Sequence, residues 1–243
     1  VEKIECFNPK HDFNFLIVSQ MGPRKNLNNT IKWFVEEFID QDVGLIIKTN
    51  MKSNSKMDKE YTEASIKAIL APYPDRKCSV SLLHGDLTEG QMRGLYEHGK
   101  GKAMVNISHG EGFGLPLFEA ARSALPIVAV GWSGQLDFLR HDGKDLFAKV
   151  KHDLKPVQQE AVWDGVIQAD SQWAYADQGS FKMSLRMMRK KYDNFKEQAY
   201  KLQALINEKF SDEVLYEGFC NQIWQPDPEV EEWLSELEEM VSA

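Results

Sequence analysis

The chain has 243 residues, 42% hydrophobic and 11% aromatic, which is enough to bury a substantial core in one large α/β domain or two small ones and excludes a disordered chain. Its net charge is −8, but residues 225–243 hold seven acids and no Lys or Arg, leaving 30 acids against 29 bases elsewhere; a generic basic surface for nucleic acid is excluded. No run approaches the roughly 18 apolar residues of a membrane span, the opening VEKIECFNPKHDF has no leader pattern, and Cys6, Cys78 and Cys220 lack the spacing of a disulfide framework or zinc site, so a soluble, reduced, cytoplasmic protein is expected.

In chain order, FNFLIVS (13–19), VGLIIK (43–48), SVSLLH (79–84), AMVNIS (103–108) and PIVAV (126–130) predict strands apolar on both faces. Such strands belong inside a parallel sheet. Amphipathic stretches near 28–39, 58–70, 89–98 and 116–124 predict helices between them. Thr88 and Gln91 make a capping box for the third, and Pro116 suits the first turn of the fourth. The alternation predicts an α/β fold, a single doubly wound, Rossmann-like parallel-sheet domain over residues 1–224.

Beyond residue 150 the pattern predicts helices near 158–168, 180–207 and 212–224 and no strand. Leu185, Met188, Tyr192 and Phe195 form an apolar stripe, which makes Arg186, Arg189, Lys190 and Lys191 a solvated helix face in preference to a patch for an anionic membrane, although peripheral contact with the inner membrane surface stays open. Gln225-Pro226-Asp227-Pro228 breaks the chain before an acidic tail, 225–243. A helix with Val230, Trp233, Leu234, Leu237 and Val241 on one face is expected there, and that face must dock.

In a doubly wound sheet ligands bind beyond the carboxyl ends of the strands, where strand order reverses. For the common order 3-2-1-4-5-6, the loops concerned are Ser19–Asn26 and Ser108–Pro116. The second has three glycines in five residues and leads into a helix, so its amides suit a diphosphate. The first brings Arg24 and Lys25 to the same edge. Glu119, one turn inside the helix, can accept hydrogen bonds from a ribose diol, and Glu111 can face sugar hydroxyls beyond the phosphates. Other readings are weaker. Asp40-Gln41-Asp42 has the spacing of a metal motif but follows a helix. Ser108-His109 lacks the Gly-x-Ser-x-Gly elbow of a hydrolase. Gly22 alone is no dinucleotide fingerprint.

The run Glu111-Gly112-Phe113-Gly114-Leu115-Pro116-Leu117-Phe118-Glu119 resembles the signature of the retaining glycosyltransferases of family 4, which have the GT-B fold. The resemblance extends over roughly residues 13–220: Arg24-Lys25-Asn26 matches the phosphate loop, Leu95-Tyr96 the helix before the fourth strand, and Ala120 through Val130 the segment after the signature. Ser133-Gly134-Gln135-Leu136-Asp137 is similar to the Gly-Gly-x-x-Glu element that follows. Gln20 stands where the family has Arg, and Ser133 and Asp137 where it has Gly and Glu.

The resemblance implies a C-terminal, donor-binding domain. Lys25 would neutralise the leaving diphosphate and the Gly114 and Leu115 amides would bind its oxygens, with Gly22, Arg24, Gly112 and Phe113 in the same shell. Glu119 would hold the ribose and Glu111 the donor sugar, making Lys25 and Glu111 the catalytic pair; the loop at His84-Gly85 would lie near the base. No cofactor, metal or general base is implied, because the leaving phosphate itself takes the acceptor proton. The implied ligands are a nucleotide sugar and an acceptor glycan or lipid. The first strand begins about where the C-terminal domain of such enzymes begins, so a separate acceptor-binding domain, or a homo-oligomer through the tail helix, is expected to complete the enzyme. The alternative is a stand-alone module or subunit that binds nucleotide sugar without transferring it.

Overall fold

The computed structural model describes residues 2, 4, 7–223, 230, 232–235, 237 and 240. Cys6, Val241 and the break at 225–228 lie outside them. The described chain begins with β1 (Asn14–Val18), α1 (Leu27–Phe38), β2 (Gly44–Lys48), α2 (Lys56–Leu70), β3 (Ser79–Leu83), α3 (Glu89–Tyr96), β4 (Gly101–Asn106), α4 (Leu115–Arg122) and β5 (Ile127–Val130). Each expected element is present within a few residues of its expected bounds. The capping box on α3 is formed, Gln91 N–H to Thr88 Oγ1 and Thr88 N–H back to the Gln91 side chain.

A four-residue helix, α5 (Leu136–Leu139), and a hairpin, β6 (Arg140–His141) with β7 (Lys144–Asp145), lead into β8 (Ala148–Val150). β8 joins the sheet beside β5, giving the parallel order β3-β2-β1-β4-β5-β8. This sixth strand is not in the sequence reading. Three residues with Lys149 exposed between Ala148 and Val150 carry too little periodicity to stand out.

The core explains the parallel order. Phe15, Leu45, Ile47, Val105 and Val128 are buried on central strands, and Phe34 and Phe38 of α1 close over them, with Phe15 stacked on Phe38 at 5.7 Å between ring centres. Strands covered on both faces have no side to give to water, hence their uninterrupted apolar runs. The same face is shared by α6 (Gln178–Lys190), whose Phe181, Leu185 and Met188 are fully buried.

Beyond β8 the expectation of helices alone is wrong. β9 (His152–Pro156) and β10 (Gln172–Ala176) form an antiparallel pair. The expected helix at 158–168 is instead a 3-10 turn, Gln159–Ala161, followed by a bridge between Trp163 and Ile167. Two apolar residues of this stretch, Trp163 and Val166, are 66% and 63% exposed, so they give no buried face to stabilise a helix. Gly165, with φ of 77°, turns the segment back on itself. The single helix expected over 180–207 is two, α6 and α7 (Tyr192–Lys209), broken at Lys191, whose φ of −120° and ψ of 39° leave the helical region. Of the basic run on α6, Arg186 makes a bidentate pair with Glu37 at 2.7 and 2.9 Å and Arg189 bonds Gln41, both across to the α1 side.

The chain divides into two compact units, Val1–Gln203 and Ala204–Ala243. The first holds the sheet. In the second, α8 (Asp212–Ile223) exposes Leu215, Tyr216, Phe219 and Ile223, and the described residues of the expected tail stripe, Val230, Trp233, Leu234 and Leu237, are helical and exposed. No described helix is long and apolar enough to cross a membrane.

Candidate functional site

β1 pairs directly with β4, so strand order reverses between them and the loops leaving their carboxyl ends lie side by side. The first loop is pinned by Met21 N–H to Asn50 O at 2.8 Å and turns through Pro23–Lys25. Asn26 takes the left-handed conformation, φ 53° and ψ 33°, and its side-chain Nδ2 donates to Ile107 O at 3.2 Å. His109 N–H donates to Arg24 O at 2.8 Å, stitching the second loop to the first. A small pocket at the end of this seam is lined by Ser19, Lys25, Thr30 and Asn106.

Glu111 is the focus of the site. Its side chain, 6% exposed, accepts Lys25 Nζ at 2.7 and 2.8 Å, Arg24 Nη1 at 3.0 Å, Asn106 Nδ2 at 3.1 Å and Ser108 Oγ at 2.9 Å. Burial alone would push this carboxyl up; the Lys25 ammonium and the two neutral donors outweigh it and hold the group below its ordinary value. Two cations on one carboxylate leave an excess of positive charge at the sheet edge. Lys25 and Glu111, given separate tasks in the sequence analysis, are thus partners in the structure. Arg24 is shared further, donating to Gly110 O at 2.5 Å.

The glycine turn takes its shape from two positions. Gly114 caps α4 at φ 87° and ψ 49°, a left-handed conformation that disfavours any residue with a Cβ. Its carbonyl accepts Leu117 and Phe118 N–H. The amides of Gly112, Gly114 and Leu115 have no acceptor among the described residues, the usual state of a helix start. Gly134 matters because a Cβ there would come within 1.7 Å of Gly112 O. Ser133, at φ 79°, is left-handed where the resemblance expects glycine. Its hydroxyl accepts Glu111 N–H at 2.9 Å and donates to Glu111 O at 2.5 Å, while Gly134 N–H donates to the same carbonyl at 3.1 Å. The Ser133-Gly134 element therefore braces the turn from behind; Asp137 is exposed and takes no part in these bonds.

The other expected residues are more dispersed. Glu119 lies on the second turn of α4, where its Oε2 accepts Tyr96 Oη–H at 2.8 Å. Phe113 is 38% exposed and its ring packs on Phe118 and Phe138, leaving its backbone to shape the turn. Gly22 has extended backbone with open space around it. His84 sits beyond β3 and its ring is directed at Asp58, Nε2 to Oδ1 at 2.8 Å, with only 3% of the side chain exposed. Asp58 also accepts the amides of Met51, Lys52 and Ser53 at 3.0, 2.7 and 2.9 Å. Burial pushes that carboxyl up, but His84 and the three amides hold it far below the usual range. Asp58, with His84 as its side-chain partner, thus organises the loop after β2. Beside it, Gly85, left-handed at φ 103°, accepts Lys48 Nζ at 2.7 Å.

Several participants escaped the sequence reading. Asn106, at the end of β4 and five residues before Glu111, is an ordinary polar residue, and Ser108, visible as the first residue of the glycine loop, carried no sign that it bonds Glu111. His109, weighed with Ser108 as a hydrolase pair, is buried. Its Nδ1 lies 2.8 Å from Ala174 O, so that nitrogen carries the proton, and Ala174 N–H donates to His109 O at 2.9 Å. Its ring stacks on Trp173 at 5.2 Å and 13°, and burial holds the imidazole below its usual value, hence neutral at pH 7. The β9–β10 pair is clasped in this way onto the glycine loop, and the turn Gln159–Ala161 lies against Pro23–Lys25. The alternation Gln-Trp-Ala-Tyr-Ala was the available signal for β10.

No family model and no curated protein sequence matches the chain. Solved structures do. The C-terminal domain of LpcC, a glycosyl transferase group 1 family protein from Francisella tularensis, aligns with a TM-score of 0.58 at 14% identity, over 83% of this chain and 88% of that one. Anabaena Alr3699/HepE in complex with UDP and glucose aligns with a TM-score of 0.58 at 13% identity, over 87% of this chain and 48% of that one. An E. coli structure described as trehalose-6-phosphate bound with UDP-2-fluoro glucose aligns with a TM-score of 0.59 at 10% identity, over 89% of this chain and 45% of that one. The chain spans about half the length of the latter two. Identities this low speak to architecture alone: this chain has a Rossmann-like α/β fold that matches the C-terminal domains of GT-B glycosyltransferases.

Proposed function

We propose that the chain binds a nucleotide-diphosphate sugar between the loops leaving β1 and β4 and serves as the donor half of a retaining glycosyltransferase of family 4. The observation that carries this reading is the convergence of Lys25 and Arg24 on buried Glu111 beside an open glycine turn. On donor binding, phosphate oxygens compete with Glu111 for the two cations, each charge-assisted contact being worth about 1.5–3 kcal/mol. Glu111, still held by Asn106 and Ser108, is then free to accept from sugar hydroxyls.

As the bond from the sugar's anomeric carbon to the diphosphate oxygen breaks and the acceptor oxygen bonds that carbon, negative charge grows on the leaving diphosphate. Lys25, Arg24 and the amides of Gly114 and Leu115 are arranged to stabilise it. On this reading the leaving phosphate takes the proton of the acceptor hydroxyl, and side-chain cations supply the positive charge, so no metal is assigned. The acceptor is a glycan or a lipid. Fold neighbours that hold UDP or a UDP-sugar analogue support the donor class. Since the chain spans about half the length of those neighbours, a second reading uses the same cleft for nucleotide-sugar binding without transfer.

Both readings require nucleotide binding. UDP, GDP or ADP, at a hundred times its dissociation constant, is expected to stabilise the protein by about 2.7 kcal/mol, and Lys25→Ala to lose most of that gain. A thermal-shift panel in which none of the three raises the midpoint overturns the proposal.

A further inference from the structure

Glu119 is expected to hold the ribose, yet a half-buried carboxylate on a helix turn, left to itself, samples several rotamers and is a poor receptor for a diol whose two hydroxyls must be met at once. The structure removes that freedom. Tyr96, at the end of α3, is 3% exposed, and its hydroxyl donates to Glu119 Oε2 at 2.8 Å. Burial first, and then the adjacent carboxylate, push the phenol far up, so it stays a donor throughout the accessible pH range. The other oxygen, Oε1, has no partner among the described residues.

We propose that Tyr96 is a positioning residue for nucleotide recognition: by anchoring one oxygen of Glu119 from beneath, it orients the carboxylate toward the ribose diol and so sets the preference for ribonucleotides over their deoxy forms. This rests on the assignment of the donor cleft and of Glu119 to the ribose. Tyr96 touches no ligand itself. Its Oη–H acts through Glu119, and because the ring fills a buried site between α3 and α4, removal of the hydroxyl alone separates orientation from packing.

The test compares binding of a ribonucleoside diphosphate with its 2′,3′-dideoxy counterpart by calorimetry in wild type, Tyr96→Phe and Glu119→Ala. Whichever of UDP, GDP and ADP binds tightest is used. Glu119→Ala is expected to bring the ribo-over-dideoxy preference close to one, and Tyr96→Phe to reduce it about tenfold or to the same floor, while dideoxy affinity stays within about twofold of wild type in both. If Glu119→Ala removes the preference but Tyr96→Phe keeps it, the positioning role is overturned and the ribose assignment stands. If Tyr96→Phe weakens both ligands equally, the hydroxyl is structural only and the positioning role again fails. If Glu119→Ala leaves the preference intact, the ribose assignment falls and the role of Tyr96 with it.

Discussion

A carboxylate deprived of water keeps its charge only where donors replace that water. Glu111 and Asp58 are both in this position: Glu111 is met by Lys25, Arg24, Asn106 and Ser108, and Asp58 by His84 and three consecutive amides. Each folded value lies below the ordinary one, so each group stabilises the fold fully above the unfolded value, about 4, and loses that contribution progressively as the pH falls from there through the lower folded value. The urea midpoint of the protein is therefore expected to hold from pH 7 to about 5 and then drop, and the gap between wild type and Glu111→Gln to narrow as it does. A gap that widens in acid would contradict the assignment. The individual residues were legible in the sequence: Lys25, Glu111, Gly114 and Glu119 all announce themselves by type and spacing. Their pairing was not. Nothing local says that Lys25 and Glu111, 86 positions apart, neutralise each other, or that His84 is occupied by Asp58.

At the scale of elements, periodicity was a good guide wherever burial imposes it. β1 to β5 and α1 to α4 each have a face, or two, that the core demands, and α4 starts where Gly114 and Pro116 allow. Periodicity failed where burial is partial. β8 has three residues, and the segment from 158 to 168 carries Trp163 and Val166 into solvent, so its spacing encodes no packing. The brace behind the glycine turn was half legible. The Ser133-Gly134 pair was visible, but its purpose depends on a backbone approach that only coordinates reveal. Gly134→Ala drives a methyl into Gly112 O, and neither backbone segment is at a flexible end. We expect a loss of about 1–3 kcal/mol in urea unfolding together with weaker nucleotide binding, because the turn itself must shift. Unchanged values for both would mean that the brace yields freely.

At the scale of the molecule, the order β3-β2-β1-β4-β5-β8 places the first strand in the middle of the sheet, between β2 and β4. One neighbour is close in sequence and the other distant: Arg24 and Glu111, which meet at the end of the β1–β4 seam, are 87 residues apart. Folding must close a long loop before that seam returns any contact energy, and parallel pairing of this range is slow, of order milliseconds to seconds. The cleft thus comes into being only with the completed sheet. A ligand held there binds the native chain and adds nothing until the seam has formed. Stopped-flow chevrons with and without the stabilising nucleotide should therefore share one refolding limb, while the unfolding limb slows with ligand concentration. The seam, by this reasoning, converts occupancy of the cleft into lifetime of the fold.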